Sequence, residues 1–377
     1  MFIYFTKKQF VLKKIALFFD RFYIDAHACF TELAKQLVES GYHIDLYYDA
    51  NPYNPPPVFF DDRIRLFQIP TLTYHQVEFW AKMMTMKSKQ YTATVGTPIN
   101  GAWMAYKVAK YQKIPMFYLA DEIFDPEMKN HKVENWEEAK KRDLAANSYA
   151  SATLALGENR FQYQKKVNGL KDGHRYFVLP NAWAGEAKKL RSRYFRDILG
   201  INDEFPIVLF IGTIGWQLAK QVFEETKSFG AKPYHIVFHG RSIGMMHDGE
   251  HPFIQLSRLP LPSYLLQYAV SSADFGLALY DKNNPQDKNN GWTGGKISTY
   301  LKSQLPLIAG NLDEFKAFED NNIGVYWDGV ESIHNPIMKA ISKKEILTNS
   351  IPDFYKKNME YSQFYKDFEF FLNSITK

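Results

Sequence analysis

The sequence lacks the features that mark secreted, membrane-spanning and disordered proteins. Its single cysteine, Cys29, excludes an internal disulfide and fits a reducing compartment. No apolar window approaches the roughly 20 residues that cross a bilayer. Residues 1–20 mix lysines with short apolar runs and lack both a continuous apolar core and a cleavage site of small residues, so we expect no signal peptide. We expect a cytoplasmic protein, either free or peripheral on the inner face of the membrane.

The excess of positive over negative charge is also small. A net charge of +5 over 377 residues favours contact with phosphate or anionic lipid only weakly, and lysines scattered over a surface explain it equally well. We expect no nucleic-acid partner. The chain is instead rich in packing material, with 46% apolar and 16% aromatic residues. Because 377 residues are too many for one ordinary hydrophobic core, the length of the chain predicts two globular domains.

Apolar runs of strand length alternate with helical patterns along the chain. The predicted strands are 14–19, 44–48, 64–68, 115–119, 152–156, 176–179, 207–211, 234–238, 275–280 and 305–309, and the predicted helices include 28–40, 102–111, 136–150 and 263–271. This pattern predicts an α/β protein of two doubly wound, Rossmann-like domains with a ligand cleft beyond the carboxyl ends of their strands. The predicted boundaries are 1–182 for the first domain, 183–200 for a linker, 201–350 for the second domain and 351–377 for an aromatic terminal helix.

The segment 294–309 is the most informative. It places Gly294, Gly295 and Lys296 at the start of a predicted helix that leads into a short apolar strand. Glycines let the backbone approach an anion, the amides of the first turn point at it, and the lysine adds positive charge, so the segment is suited to a diphosphate. In the alternative interpretation, the glycines relieve crowding where the helix begins and Lys296 is solvated.

The second half resembles the nucleotide-sugar domain of GT-B glycosyltransferases, particularly those related to glycosyltransferase family 4. The segments that carry the resemblance follow the family's order: 208–213, 238–240, 261–274, 295–296 and 300–309. In the first half, 118–122 and 179–181 are similar to an acidic segment and an interdomain turn of these enzymes. The resemblance implies that the first domain binds an acceptor, that the second binds a nucleotide sugar, and that the C-terminal helix packs back onto the first domain.

The chain departs from the family pattern at two places. Many family members carry two glutamates at a fixed spacing, and those positions are Gly291 and Thr299 here. Thr299 is able to hydrogen-bond a ribose or sugar hydroxyl, but it supplies no charge. The glycine-rich loop after the first strand is replaced by residues 21–27, which contain no glycine. The resemblance is therefore to a divergent member.

The resemblance implies that basic side chains and helix amides stabilise a leaving diphosphate. The sequence contains no Asp-X-Asp triplet, which favours a metal-free scheme with no cofactor beyond the nucleotide sugar. Arg241 follows a predicted strand end, where its guanidinium would grip phosphate oxygens, although a surface salt bridge is the alternative. The expected donor-contacting residues are Gly212, Thr213, Arg241, Gly294, Gly295, Lys296 and Thr299.

Three residues are candidates for catalysis on the acceptor side. Asp25 and His27 follow the first strand, where either would remove a proton from an acceptor hydroxyl if the reaction inverts configuration. The alternatives are a helix N-cap for Asp25 and a partly exposed helix residue for His27. Asp121, which precedes Glu122 after another strand, is the third candidate, with helix capping as its alternative. If configuration is retained, these residues would position the acceptor instead.

Two further patterns concern a possible metal site and a possible membrane-contact segment. His235, His239 and His247 invite a metal interpretation, but no matching cysteine or carboxylate spacing supports it, and we expect no metal. The segment 74–91 combines Trp80 and methionines with lysines. It would rest on an anionic bilayer and present a lipid-linked acceptor, or it would form a core-packing helix with lysines on its outer face.

Taken together, these patterns favour a glycosyltransferase that moves a hexose from a UDP- or GDP-linked donor to a saccharide or lipid-linked saccharide, in the synthesis of a bacterial surface polysaccharide. A sugar-nucleotide epimerase of the same fold is one alternative. A non-catalytic GT-B-like protein that binds a nucleotide or a partner is another, and the missing glutamates favour it.

Overall fold

A computed structural model describes residues 13–19, 27–49, 59–69, 76, 78–80, 82–83, 91–127, 135–212, 217–240, 251, 253–257 and 261–376. The first half forms a seven-stranded parallel sheet in the order β3-β2-β1-β4-β5-β6-β7. Its strands are β1 (Lys14–Phe19), β2 (His43–Asp49), β3 (Ile64–Ile69), β4 (Ala93–Gly96), β5 (Met116–Ala120), β6 (Ala152–Ala155) and β7 (Tyr176–Val178). Its helices are α1 (Ala28–Glu39), α2 (Asn100–Gln112), α3 (Trp136–Tyr149) and α4 (Glu158–Asn168).

The second half forms a six-stranded parallel sheet in the order β10-β9-β8-β11-β12-β13. Its strands are β8 (Ile207–Ile211), β9 (His235–His239), β10 (Ile254–Ser257), β11 (Phe275–Leu279), β12 (Leu307–Gly310) and β13 (Gly324–Trp327). Its helices are α5 (Tyr194–Leu199), α6 (Gln217–Lys227), α7 (Ser263–Val270), α8 (Pro285–Lys288), α9 (Gly295–Lys302), α10 (Lys316–Asp320), α11 (His334–Ser342), α12 (Lys344–Asn358) and α13 (Tyr361–Thr376).

Both sheets place their first strand beside the point where the strand order reverses. Strand β1 lies between β2 and β4, and β8 lies between β9 and β11. Every residue of β1 and β8 is buried, as expected for parallel strands that are covered by helices on both faces. Such a reversal leaves a crevice at the carboxyl ends of the strands, where ligands bind in doubly wound proteins. The predicted pair of doubly wound α/β domains is confirmed.

The C-terminal region crosses between the two domains. Helix α12 contributes Ile351, Phe354 and Tyr355 to the core of the second domain. Helix α13 contributes to the core of the first domain through Tyr361, Tyr365, Phe368 and Leu372. Helix α12 continues through Pro352, and the chain passes from one core to the other at Met359 and Glu360. Both carboxylate oxygens of Glu360 accept amide hydrogen bonds at the start of α13, and Oε1 also accepts one from Gly185 N at 2.6 Å.

The segment 74–91, predicted either to contact a membrane or to form a core-packing helix, lies largely outside the described residues. Within it, Trp80 packs against the core of the first domain, while Lys82 is exposed. No helix in the described part of the chain has the length and apolar character needed to span a membrane.

Candidate functional site

The carboxyl ends of β8 and β9 meet at two glycines. Gly212 follows β8 with a φ of +130°, a region that favours glycine, and its amide donates to His239 O at 3.0 Å. A side chain on Gly240 would overlap the carbonyl of Gly212. The predicted glycine turn is therefore a point of close backbone contact at the carboxyl ends of β8 and β9.

The side chain of Lys296 reaches this turn from the first turn of α9. Its Nζ is buried and lies 4.7 Å from the ring centroid of Phe210 and 4.8 Å from that of Tyr280. A Cβ built on Gly212 would lie 3.8 Å from the same Nζ. The alternative in which Lys296 is solvated is thus wrong, because the ammonium sits between aromatic rings at the end of β8.

The glycine pair before Lys296 has a packing role. A side chain on Gly294 would overlap the hydroxyl of Tyr280, and a Cβ on Gly295 would lie 3.0 Å from Asn181 Nδ2. In addition, Ser298 Oγ donates to Asn181 O at 2.7 Å. The crowding part of the alternative interpretation is correct: glycine is needed for α9 to start against β11 and the interdomain turn.

Burial governs the electrostatics around Lys296. It lowers the pKa of Lys296 to about 8, and the negative charge of Asp287 partly opposes this effect. The Asp287 carboxyl is itself buried, which raises its pKa, while its Oδ2 accepts a hydrogen bond from Asp281 N at 3.0 Å. A buried ammonium with a lowered pKa is typical of functional sites, because a bound anion would offset the cost of its charge.

Thr299 is buried and its hydroxyl faces the interdomain connection. Its Oγ1 donates to Gly295 O at 2.8 Å and accepts from Trp183 Nε1 at 3.2 Å. Trp183 is fixed in turn by Tyr355, whose hydroxyl donates to the Trp183 carbonyl at 2.7 Å. Contact between Thr299 and a donor stays a prediction, and the observed partners tie this residue to the connection between the domains.

The first domain brings His27 and Asp121 together. His27 Nδ1 lies 3.8 Å from Asp121 Oδ2, and the imidazole packs edge-on against Phe19 with ring centroids 5.7 Å apart. The imidazole side chain is 21% exposed and the carboxylate 2%, so the histidine is the more accessible of the two. The other Asp121 oxygen, Oδ1, accepts the amide of Glu122 at 3.0 Å. Two predicted catalytic residues from different strand ends thus form one pair.

Arg160 is a site residue that the sequence analysis missed. It lies in the first turn of α4 and is buried. Its Nη2 donates to the carbonyl of Asp121 at 2.6 Å, and its Nη1 donates to Asn290 Oδ1 at 3.0 Å. The available signal was a strand-glycine-helix pattern that starts at Gly157, with a charged residue in the first helical turn.

The remaining predictions fall outside the site or outside the described residues. Asp25, Thr213, Arg241 and His247 lie outside the described ranges. His239 is buried beside Ser257 Oγ at 2.9 Å, and burial lowers its pKa to about 4. Within the described ranges, no group of three or more His, Cys, Asp or Glu side chains is arranged to hold a metal ion. Trp292 packs on Phe354 with ring centroids 5.3 Å apart, which anchors its loop in the second domain.

Solved structures of similar fold cover nearly the whole chain. Sucrose-phosphate synthase from Thermosynechococcus elongatus matches with a TM-score of 0.69 and 12% identity over 96% of this chain and 98% of that chain. HepE from Anabaena in complex with UDP-glucose matches with a TM-score of 0.69 and 11% identity over 96% and 99%. WaaG, a glycosyltransferase involved in lipopolysaccharide biosynthesis, matches with a TM-score of 0.63 and 13% identity over 96% and 99%.

These likenesses confirm the predicted GT-B fold, in which two Rossmann-like domains face each other across a cleft. No family model and no curated protein matches the sequence. Membership of glycosyltransferase family 4 stays a prediction.

Proposed function

We propose that this protein is a glycosyltransferase that transfers a sugar from a nucleoside-diphosphate donor bound by the second domain. The observation that carries the proposal is the buried Lys296 ammonium beside Gly212, at the strand-order reversal of the second sheet. HepE, a protein of similar fold, has been solved in complex with UDP-glucose. The resemblance to GT-B glycosyltransferases implies a donor in the second domain, and this chain is proposed to share that location.

Lys296 would act on the charge that develops as the donor bond breaks. A diphosphate leaving group gains negative charge in the transition state, and a fixed cation in a water-poor site stabilises it more strongly than a solvated one. The start of α9 adds the positive end of a helix dipole beside this cation. In this proposal the side chains and backbone of the protein stabilise the leaving group without a metal ion.

His27 and Asp121 would act on the acceptor from the first domain. If the reaction inverts configuration, His27 accepts the proton of the acceptor hydroxyl while Asp121 stabilises the resulting imidazolium. If configuration is retained, the same pair orients the hydroxyl. The 3.8 Å separation and the greater exposure of His27 support this division of roles.

We further propose that the acceptor is a saccharide or a lipid-linked saccharide met at an anionic membrane, in surface-glycan synthesis on the cytoplasmic side. Support comes from one side of α2, called here the α2 aromatic-basic face. It carries Trp103, Tyr106, Lys107, Lys110 and Tyr111 at spacings that share one side of a helix. Lys110 and Tyr111 are exposed, whereas Trp103 and Tyr106 pack partly on the core of the first domain and Lys107 Nζ lies 3.6 Å from Glu78 Oε2. Lys107 Nζ lies 4.3 Å from the Trp103 ring centroid, and Tyr111 is 66% exposed. Aromatic rings with lysines suit the headgroup region of an anionic bilayer.

A protein that binds a nucleotide without transferring a sugar is the second candidate. Its specific support is that Gly291 and Thr299 stand where family members commonly carry carboxylates, and that the Thr299 hydroxyl is engaged by Trp183. Turnover of a labelled donor would separate the two candidates.

The first experiment is a thermal-shift screen of the purified chain with UDP, GDP, ADP and CMP. We expect one nucleoside diphosphate to raise the Tm, because a ligand that binds only the native state stabilises it by RT ln(1 + [L]/Kd). The Lys296→Met variant should lose most of this shift. The matched control is Lys220→Met, which removes an exposed lysine of α6 in the same domain. The proposal fails if no nucleotide raises the Tm of the wild type.

A further inference from the structure

Arg160 carries a charge into a buried position between the two domains. Such burial is costly unless the guanidinium is well hydrogen-bonded. Two of its hydrogen-bond acceptors belong to different domains: the carbonyl of Asp121 in the first and the side chain of Asn290 in the second. The two bonds, at 2.6 and 3.0 Å, use different nitrogens of one rigid fork.

The residues around Arg160 reinforce this junction. Asn159 Nδ2 donates to Glu314 Oε1 of the second domain at 2.5 Å. A Cβ built on Gly157 would lie 2.6 Å from the Thr293 methyl, so the backbone that precedes α4 approaches that residue closely. Thr293 Oγ1 in turn donates to Asn290 Oδ1 at 3.1 Å. The start of α4 therefore meets residues 290–293 at two points, the Arg160–Asn290 bond and the close approach of Gly157 to Thr293.

The loop that receives Arg160 is also the loop that leads to Lys296. Asn290 donates its amide to Asp287 O at 3.0 Å, and Asp287 is the buried acid whose charge acts on Lys296. The chain then passes through Gly294 into α9. On the other side, Arg160 holds the carbonyl of Asp121, whose carboxylate faces His27. One side chain thus bonds to both halves of the candidate site.

We propose that Arg160 is a positioning residue that couples the two halves of this site. It holds the loop that bears Asp121 and the loop that leads to Lys296 in one arrangement, so that a nucleoside diphosphate at Lys296 binds while the two domains are held together by this side chain. This inference rests on the proposed function for its ligand. An arginine is required because a lysine offers one ammonium where the fork serves two acceptors in fixed directions.

The test is a double-mutant cycle on nucleotide affinity. The variants are Arg160→Met, Asn290→Ala and their combination, and the probe is the nucleoside diphosphate that stabilises the wild type. We expect each single variant to weaken binding by about tenfold, as for the loss of a hydrogen bond to a charged group. The double variant should bind the nucleotide no more weakly than Arg160→Met alone, because both changes remove the same bond.

Arg160→Lys should not rescue affinity. The control Lys166→Met, on the exposed face of the same helix, should bind like the wild type.

A second measurement separates this inference from the proposed function. Small-angle scattering without nucleotide should give a larger radius of gyration for Arg160→Met and Asn290→Ala than for the wild type and Lys166→Met. If the wild type binds no nucleotide, the proposed function fails while scattering still decides whether Arg160 holds the domains together. Unchanged scattering, or additive effects on affinity in the cycle, would overturn the inference. Asn290→Ala keeps the test decisive if Arg160→Met does not fold.

Discussion

The imidazole of His27 lies 3.8 Å from the carboxylate of Asp121, although the two residues follow different strands and are far apart in sequence. Strands β1 and β5 both pair with β4, so their carboxyl ends lie on the same edge of the sheet. This geometry makes the pair the best acid–base candidate on the acceptor side.

We predict that His27→Ala and Asp121→Asn lower sugar transfer by about 10²- to 10⁴-fold, the usual contribution of general acid–base catalysis. Nucleotide affinity should change little, because both substitutions leave the bond from Arg160 to the backbone carbonyl of Asp121 in place. Transfer from a labelled donor and nucleotide titration measure the two effects. Asp172→Asn, at an exposed carboxylate of the first domain, is the control. Equal losses in affinity and transfer would argue against a catalytic role.

The lowered pKa of Lys296 predicts a pH-dependent difference in stability. Between its folded pKa of about 8 and its ordinary value of 10.5, the unfolded state holds more protons at this group. The contribution of Lys296 to the free energy of unfolding therefore rises with pH through this window. Below pH 8, nucleotide-free Lys296→Met should be more stable than the wild type by ~1–3 kcal/mol.

Urea unfolding of wild type and Lys296→Met from pH 7 to 9.5 checks this prediction. The difference between them should shrink as pH rises, since other titrating groups are common to both proteins. A constant difference over this range would show that the ammonium is not held at a lowered pKa.

A third prediction concerns the close approach at Gly294. Because any side chain there overlaps the Tyr280 hydroxyl, Gly294→Ala should lower the free energy of unfolding by ~1–3 kcal/mol. Adding Tyr280→Phe should restore part of the loss by removing that hydroxyl. Gly230→Ala is the matched control, because a Cβ there has no neighbour within 4 Å. Denaturant unfolding compares the four proteins, and equal stability of Gly294→Ala and wild type would contradict the packing.

The strands differ in how well the sequence predicts them. Five consecutive apolar residues, followed by Gly212, predict β8 to the residue, because a buried parallel strand has no polar face to interrupt it. Strand β4 was missed because its four residues, Ala-Thr-Val-Gly, are too few and too small to stand out. Gly96 occurs in β4 because the backbone of α2 passes directly over it.

The site was partly predictable for a related reason. Gly212, Lys296, His27 and Asp121 all follow strand ends or begin helices, and such positions converge in a doubly wound sheet. Arg160 also begins a helix after a strand end, but its role was not predictable, because that role depends on α4 of one domain meeting residue 290 of the other. The Tyr280 hydroxyl that excludes a side chain at Gly294 likewise comes from packing that no local pattern records.

The α2 aromatic-basic face predicts binding to anionic vesicles. Each lysine near an anionic surface contributes about 1 kcal/mol to membrane binding. The double variant Lys107→Glu with Lys110→Glu should therefore weaken binding to phosphatidylglycerol-containing vesicles by about tenfold or more. Co-sedimentation at two salt concentrations measures it. The same reversal at Lys220 and Lys227, on α6, should have little effect. Equal binding to neutral and anionic vesicles would count against this surface.

The most direct test of the donor site is isothermal titration of the wild type, Lys296→Met and Lys220→Met with the stabilising nucleoside diphosphate and its monophosphate. We expect the wild type and Lys220→Met to prefer the diphosphate by at least about tenfold, the scale of one charge-assisted contact. Lys296→Met should bind the two nucleotides nearly equally, because it lacks the ammonium group that binds the second phosphate. An undiminished preference for the diphosphate in Lys296→Met would show that this buried lysine does not hold the donor.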